Sequence, residues 1–246
     1  MARYDFSAQR LYLDADLAEA AELACDSGQA NYLRNVLRLK PGDPILAFNG
    51  RDGEWSATIV ETGRRGVILR LGEQVREQEG GPDIDYLFAP LKRARLDYMV
   101  QKATEMGVAR LRPVTTRRTL AERVNVARMR ANAIEAAEQC GILRIPEVSE
   151  PVKLESAIAD WDARRPLIFC DEGVEERCPL SRLARVQPGP VALLVGPEGG
   201  FDEGERELLA SKPFVTRISL GPRILRADTA AVAALALVNA MVGDWR

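Results

Sequence analysis

Val191 to Glu205 reads VALLVGPEGGFDEGE. The run from Val191 to Gly196 is apolar or small and is bounded by Gly and Pro, which predicts a short strand in a parallel-sheet core. Gly196-Pro197 stops it. Asp202 followed by Glu205 has capping-box spacing, so a helix is expected over roughly Glu203 to Ala210. Between strand and helix lie Glu198, Gly199 and Gly200. Two adjacent glycines permit positive φ and let a ligand or another backbone come close. Taken alone, the stretch fits a plain strand-to-helix turn as well as a binding loop, because one glycine-rich turn is a weak signal.

The same alternation extends to both sides. Ile84 to Ala89, Leu111 to Val114, Leu167 to Cys170 and Val215 to Ser219 read as further short strands. Arg95 to Met106 reads as a helix with Leu96, Met99, Val100, Ala103 and Met106 on one face, closed by Gly107. A second helix spans about Asn125 to Cys140, with Val126, Met129, Ala133, Ala136, Ala137 and Cys140 inward and Gly141 as its stop. The last helix is expected from Ala230 to Val242, capped by Asp228 or Thr229. It is dense in small apolar residues, so it must be buried inside the domain or against a second chain. Together these elements predict an α/β domain over residues 83–246 with a mostly parallel sheet.

Ahead of it, Ile45 to Phe48, Trp55 to Val60 and Val67 to Leu71 are β-rich runs separated by Asn49-Gly50, Asp52-Gly53 and Gly63 to Gly66. They predict a small β-barrel over residues 1–72. Asn31 to Leu39 reads as a helix that places Arg34 and Arg38 on one face, either as a surface stripe or as a phosphate contact. Glu73 to Pro82 reads as a linker.

Composition narrows the chemistry. The 246 residues are 46% hydrophobic and 28% charged, as in ordinary globular proteins. The longest apolar run, Ala230 to Val238, is too short to span a bilayer, and Met1 to Arg10 lacks the apolar core of a signal peptide, so a cytoplasmic location is expected. There is no histidine, and Cys25, Cys140, Cys170 and Cys178 show no C-x-x-C spacing. No metal site is expected, and histidine-dependent triads are excluded. A net charge of -2 hides an uneven distribution. Lys92 to Arg144 carries 12 Lys and Arg against 5 Asp and Glu, a basic segment that suits either solvated helix faces or a polyanionic partner.

LLVGPEGGFDEGE at Leu193 to Glu205 and SLGPRILRADTA at Ser219 to Ala230, read together, strongly resemble the paired signatures of the SPOUT methyltransferases. The similarity is greatest to the bacterial 16S ribosomal RNA uridine-N3 methyltransferase family. QKATEMGVARLRPVTTRRT at Gln101 to Thr119, EAAEQCG at Glu135 to Gly141 and NYLRNVLRLKPGD at Asn31 to Asp43 resemble its other blocks. The sequence departs from that family's usual residues at Asn31, Arg117, Ile142 and Asp228, where histidine, glutamate, arginine and glutamate are common.

The resemblance implies a PUA-like domain, then a SPOUT domain with a trefoil knot that binds S-adenosylmethionine and forms a homodimer. Carried over by position, the cofactor would touch the backbone around Leu194, Gly196, Pro197, Glu198, Gly199 and Gly200, and again at Leu220, Gly221, Ile224 and Leu225. A Rossmann site is disfavoured, since no G-x-G-x-x-G opens a helix after an early strand. The implied substrate is an unpaired or extruded uridine of 16S ribosomal RNA, free or in the small ribosomal subunit. Arg226 is expected to stabilise the uridinate, with Glu198 or Asp228 as base. A salt bridge from Arg226 to Asp228 or Glu205 is the structural alternative. Candidate phosphate contacts are Arg34, Arg38, Lys92, Arg93, Arg95, Arg117, Arg118 and Arg144. A knotted ribosome-assembly protein without catalysis and a transfer RNA methyltransferase are the competing functions.

Overall fold

The computed structural model describes residues 8–63, 66–120, 123–176 and 178–246. The residues before Ala8, and half of the turn expected over Gly63 to Gly66, lie outside them. The chain forms two compact units, Met1–Gly80 with Ala137–Ile145, and Gly81–Ala136 with Pro146–Arg246.

In the first unit β1 (Arg10–Tyr12), β2 (Glu22–Ala24), β3 (Pro44–Phe48), β4 (Glu54–Gly63) and β5 (Gly66–Arg76) form one sheet in the order β1-β3-β4-β5-β2. Only β1 and β3 pair in parallel. Three register shifts interrupt the β4–β5 pair, the irregularity by which a sheet bends around its core. Leu33, Ile45, Ala47, Ile59, Val67, Leu69 and Leu71 are buried together. β5 runs on to Arg76, into the stretch read as a linker, because Glu54 and Trp55 pair with Arg76 and Gln74. Residues 137–145 join this unit through Tyr12 N–H to Glu138 Oε1 at 2.8 Å and Arg76 Nη1 to the Gly141 carbonyl at 3.0 Å.

The expected helix over Asn31 to Leu39 is replaced by α1 (Ser27–Asn31) and a π-helical turn, Tyr32–Val36. Asp26 and Gln29 form a capping box at its start, a signal that lies upstream of the stretch read. Leu37 ends the turn and Arg38 follows with φ 58°, so Arg34 and Arg38 do not share a helix face.

In the second unit the strands are β6 (Ile84–Phe88), β7 (Arg110–Thr115), β8 (Glu147–Val148), β9 (Val152–Lys153), β10 (Leu167–Cys170), β11 (Val191–Val195) and β12 (Val215–Ile218). The order is β12-β10-β11-β6-β7-β8, with β9 also on β7, and every pair is parallel. Alternate residues face opposite layers, as the strand period requires. On β11, Val191, Leu193 and Val195 join one core while Ala192 and Leu194 join the other. The first core is closed by α2 (Arg93–Glu105), α3 (Val126–Cys140) and α7 (Ala227–Met241), the second by α4 (Leu154–Ala159) and α6 (Glu203–Ala210). A helix α5 (Pro179–Leu183) adds Leu183 to the first. Burying a side chain such as Leu193 or Phe169 stabilises by about 1.5–3 kcal/mol, and both are fully enclosed.

Three details differ from expectation. Cys140 is exposed, being the end of α3 beyond the core stripe. α7 starts at Ala227 and has Arg226 at its N-cap with no side-chain cap bond, because Ala227 already packs in the core. Asp228 instead accepts from the Thr229 N–H at 2.9 Å. α7 also keeps a face, Ala233, Ala236, Leu237 and Ala240, that is only partly covered.

Candidate active site

β12, β10 and β11 are adjacent and parallel, so their carboxy ends open on one side. In open α/β sheets, ligands bind beyond those ends. Here Cys170 ends β10 and Asp171 and Glu172 follow it, Gly196 to Phe201 follow β11, and Ser219 to Leu225 follow β12; all but Pro222 line one cavity of about 310 Å³. Ala227 and Ala230 of α7 complete it.

The glycine turn is shaped by packing. A Cβ on Gly196 would collide with the ring of Phe201, which is itself buried edge-on against Phe169 at 4.9 Å. Gly200 has φ 67°, the left-handed region that glycine occupies without strain. Asp202 and Glu205 form the expected capping box of α6, with Glu205 N–H to Asp202 Oδ1 at 2.9 Å and Asp202 N–H to Glu205 Oε2 at 3.0 Å.

Arginines from the basic segment seat this turn. Arg118 Nη1 donates to the Gly199 carbonyl at 2.9 Å. Arg117 Nη1 donates to Asp202 at 2.8 Å, and its N–H donates to Glu205 Oε1 at 2.8 Å. Arg95 on α2 pairs with Glu198. Opposite them, buried Asp171 accepts from Arg217 Nε at 2.8 Å and from the Gly173 N–H at 2.9 Å, while Arg206 pairs with Glu172. Burial and then the neighbouring Asp171 push the Cys170 thiol up to about 12. Burial likewise raises the Tyr86 hydroxyl, which donates to Met99 Sδ at 3.2 Å within the core.

Nine of the ten residues expected to hold a cofactor line the cavity: Gly196, Pro197, Glu198, Gly199, Gly200, Leu220, Gly221, Ile224 and Leu225. Leu194 does not; its side chain is fully buried in the layer closed by α4 and α6. Ile224 stands at the rim with 97% of its surface exposed. Ser219 and Arg223, within the second quoted stretch, line the cavity too, whereas sequence reasoning missed Asp171 and Glu172 just past β10, whose position is readable only with the strand order. Arg226 is exposed between Leu225 and Ala227, both lining residues, and among the described residues it forms no ion pair. Glu205 is committed to Arg117 and Asp202, so the expected alternative of a Glu205 salt bridge to Arg226 does not form.

Of the phosphate candidates, Arg95, Arg117 and Arg118 contact the turn, whereas Lys92 and Arg93 open α2 exposed. Arg34, Arg38 and Arg144 belong to the first unit.

The profile of the family described as "RNA methyltransferase domain" matches residues 79–239, two thirds of the chain. The chain belongs to this RNA methyltransferase family. A second profile, "RNA methyltransferase PUA domain", matches residues 26–72 of the chain. It is 34% identical over 233 residues to the ribosomal RNA small subunit methyltransferase E of Rickettsia conorii, with 94% of each chain covered. The protein of that name from Synechocystis sp. is 30% identical over 240 residues, covering 96% of this chain and 78% of its own. Among solved structures, ribosomal RNA small subunit methyltransferase E of Neisseria gonorrhoeae bound to S-adenosyl methionine matches with TM-score 0.86 at 25% identity, covering 97% and 100% of the two chains. A Legionella pneumophila methyltransferase in complex with the bound cofactor SAM matches with TM-score 0.84 at 29% identity over 96% and 99%. The chain shares its fold with both.

Proposed function

We propose that the protein methylates small-subunit ribosomal RNA, using S-adenosylmethionine, at N3 of a uridine. One observation carries the reading: the cavity past β10, β11 and β12 combines backbone-exposing glycines, apolar side chains and carboxylates in one enclosure. That lining fits a nucleoside bearing a cationic sulfonium amino acid. Gly196, Gly199, Gly200 and Gly221 leave room against main chain, Leu220 and Leu225 offer apolar surface for a purine, and Asp171, Glu172 and Glu198 offer carboxylates. Relatives along nearly the whole chain carry the small-subunit ribosomal RNA name, and two similar structures hold this cofactor.

When bound, the cofactor supplies a methyl group on sulfur. N3 of uridine carries a proton and is nucleophilic only once that proton leaves, so the chain must orient the base and take the proton. Glu198 lines the cavity and Asp228 does not, which favours Glu198 as the acceptor, held in place by Arg95. Arg226, which forms no ion pair among the described residues, stabilises the uridinate charge from beside the cavity. The partly covered face of α7 is the surface on which a second copy would pack.

Arg226→Ala tests the assignment when methyl transfer and cofactor binding are measured separately. Transfer falls by about 10²–10³ while the cofactor Kd is unchanged; wild-type turnover removes Arg226 from the reaction.

A further inference from the structure

A second and larger cavity lies in the same α/β unit, about 730 Å³, lined from α2 by Arg93, Leu96 and Asp97, from α3 by Arg128 and Met129, and by Arg123 and Asn125 just before α3 and Glu150. It shares no lining residue with the cavity past the strand ends. Its floor is apolar: Leu91, Leu96 and Met129 are buried beneath it. Three arginines line it against two carboxylates, Asp97 and Glu150. Arg128 is neutralised by Asp97, through Nε to Oδ1 at 2.9 Å and Nη2 to Oδ2 at 2.7 Å. Arg93 and Arg123 are exposed and, among the described residues, have no carboxylate partner.

We infer that this groove holds the backbone of an unpaired RNA strand at a nucleotide flanking the methylated one, with Arg93 and Arg123 on its phosphates. The inference rests on the proposed RNA methyltransferase activity. Two exposed guanidinium groups over an apolar floor match a phosphodiester with a base turned beneath it, and arginine binds phosphate through two parallel N–H donors. Adjacency to the reaction comes from α2. Arg93 lines the groove, and Arg95, two residues later and so on the opposite side of the helix, reaches Glu198 in the other cavity. Little more than half a helical turn, about 3 Å of rise, therefore separates the two arginines along α2. Glu150 is a carboxylate, which repels phosphate and accepts from hydroxyl or amino groups, so it meets the sugar or base edge of the strand.

The test compares Arg93→Gln/Arg123→Gln with Arg185→Gln, an exposed arginine of the same unit outside both cavities. Affinity for a single-stranded fragment of undermethylated small-subunit RNA is measured across salt concentrations. The groove variant loses at least about tenfold in affinity, and the slope of log K against log salt flattens by about 1.4, the value for two phosphates on a single strand. Arg185→Gln stays at wild type. Melting temperature and cofactor binding are unchanged in both. Matching affinity and slope in the two variants would overturn the inference. So would displacement of RNA by millimolar inorganic phosphate at constant ionic strength, which would make the groove a small-anion site. Wild-type protein that binds RNA but neither binds cofactor nor transfers methyl would instead contradict the proposed activity, leaving the groove result readable by itself.

Discussion

Arg118 Nη1 donates to the main-chain carbonyl of Gly199 at 2.9 Å, so a side chain from the loop after β7 fixes the centre of the glycine turn. Arg118→Ala releases that carbonyl and lets the turn sample other conformations. The expected cost is about 1 kcal/mol in cofactor binding, roughly fivefold in Kd, measured by titration calorimetry. An unchanged Kd would mean that the turn holds its shape without the arginine.

Gly196→Ala tests the turn from inside. The new methyl group would meet Phe201 Cδ2 at 2.8 Å, and Phe201 is held against Phe169 and cannot retreat. Thermal unfolding should show a loss of about 1–3 kcal/mol, typical of overpacking. Cofactor affinity falls with it, because the cavity wall moves.

Arg38 occupies a left-handed conformation, φ 58°, at the end of the π-helical turn, where the Leu39 N–H bonds back to the Leu33 carbonyl at 2.9 Å. Glycine is the usual residue at such a helix end. Arg38→Gly should therefore stabilise the protein by about 0.5–1 kcal/mol in denaturant unfolding. If Arg38 is a phosphate contact, the same variant binds RNA more weakly, so stability and affinity change in opposite directions.

Cys170 lines the cavity but is a poor nucleophile, since burial and Asp171 hold its thiol at about 12. At pH 8, iodoacetamide followed by mass spectrometry should label exposed Cys140 and Cys178 well before Cys170. The sign for stability follows from proton binding. Above the ordinary thiol value of 9.0 the unfolded chain releases a proton that the folded chain keeps up to about 12, so stability falls through that window. Cys170→Ala should flatten this alkaline decline.

Much of the site was legible because local chemistry determined it. The capping box of Asp202 and Glu205, the apolar run ending at Val195 and the stop at Gly196-Pro197 place the turn whatever surrounds it. The partners of the turn were not legible. Arg95, Arg117 and Arg118 read as solvent-facing cations or phosphate contacts, and only the folded chain brings them to Glu198, Asp202 and Gly199. Asp171 and Glu172 were missed for a similar reason: two acids after a short strand carry no signal until β10 is seen between β12 and β11. The π-helical turn at Tyr32–Val36 and the early start of α7 at Ala227 were also hidden, because packing of Leu33 and Ala227 overrides local preference.

The central claim is methyl transfer to a ribosomal uridine from the cavity past β10, β11 and β12. It is tested most directly by incubating the protein with undermethylated small ribosomal subunits and methyl-labelled S-adenosylmethionine, then mapping the product by nuclease digestion and mass spectrometry. The account predicts label on the N3 of a single uridine of the small-subunit RNA. No incorporation, or label confined to another atom or to another RNA, would contradict it.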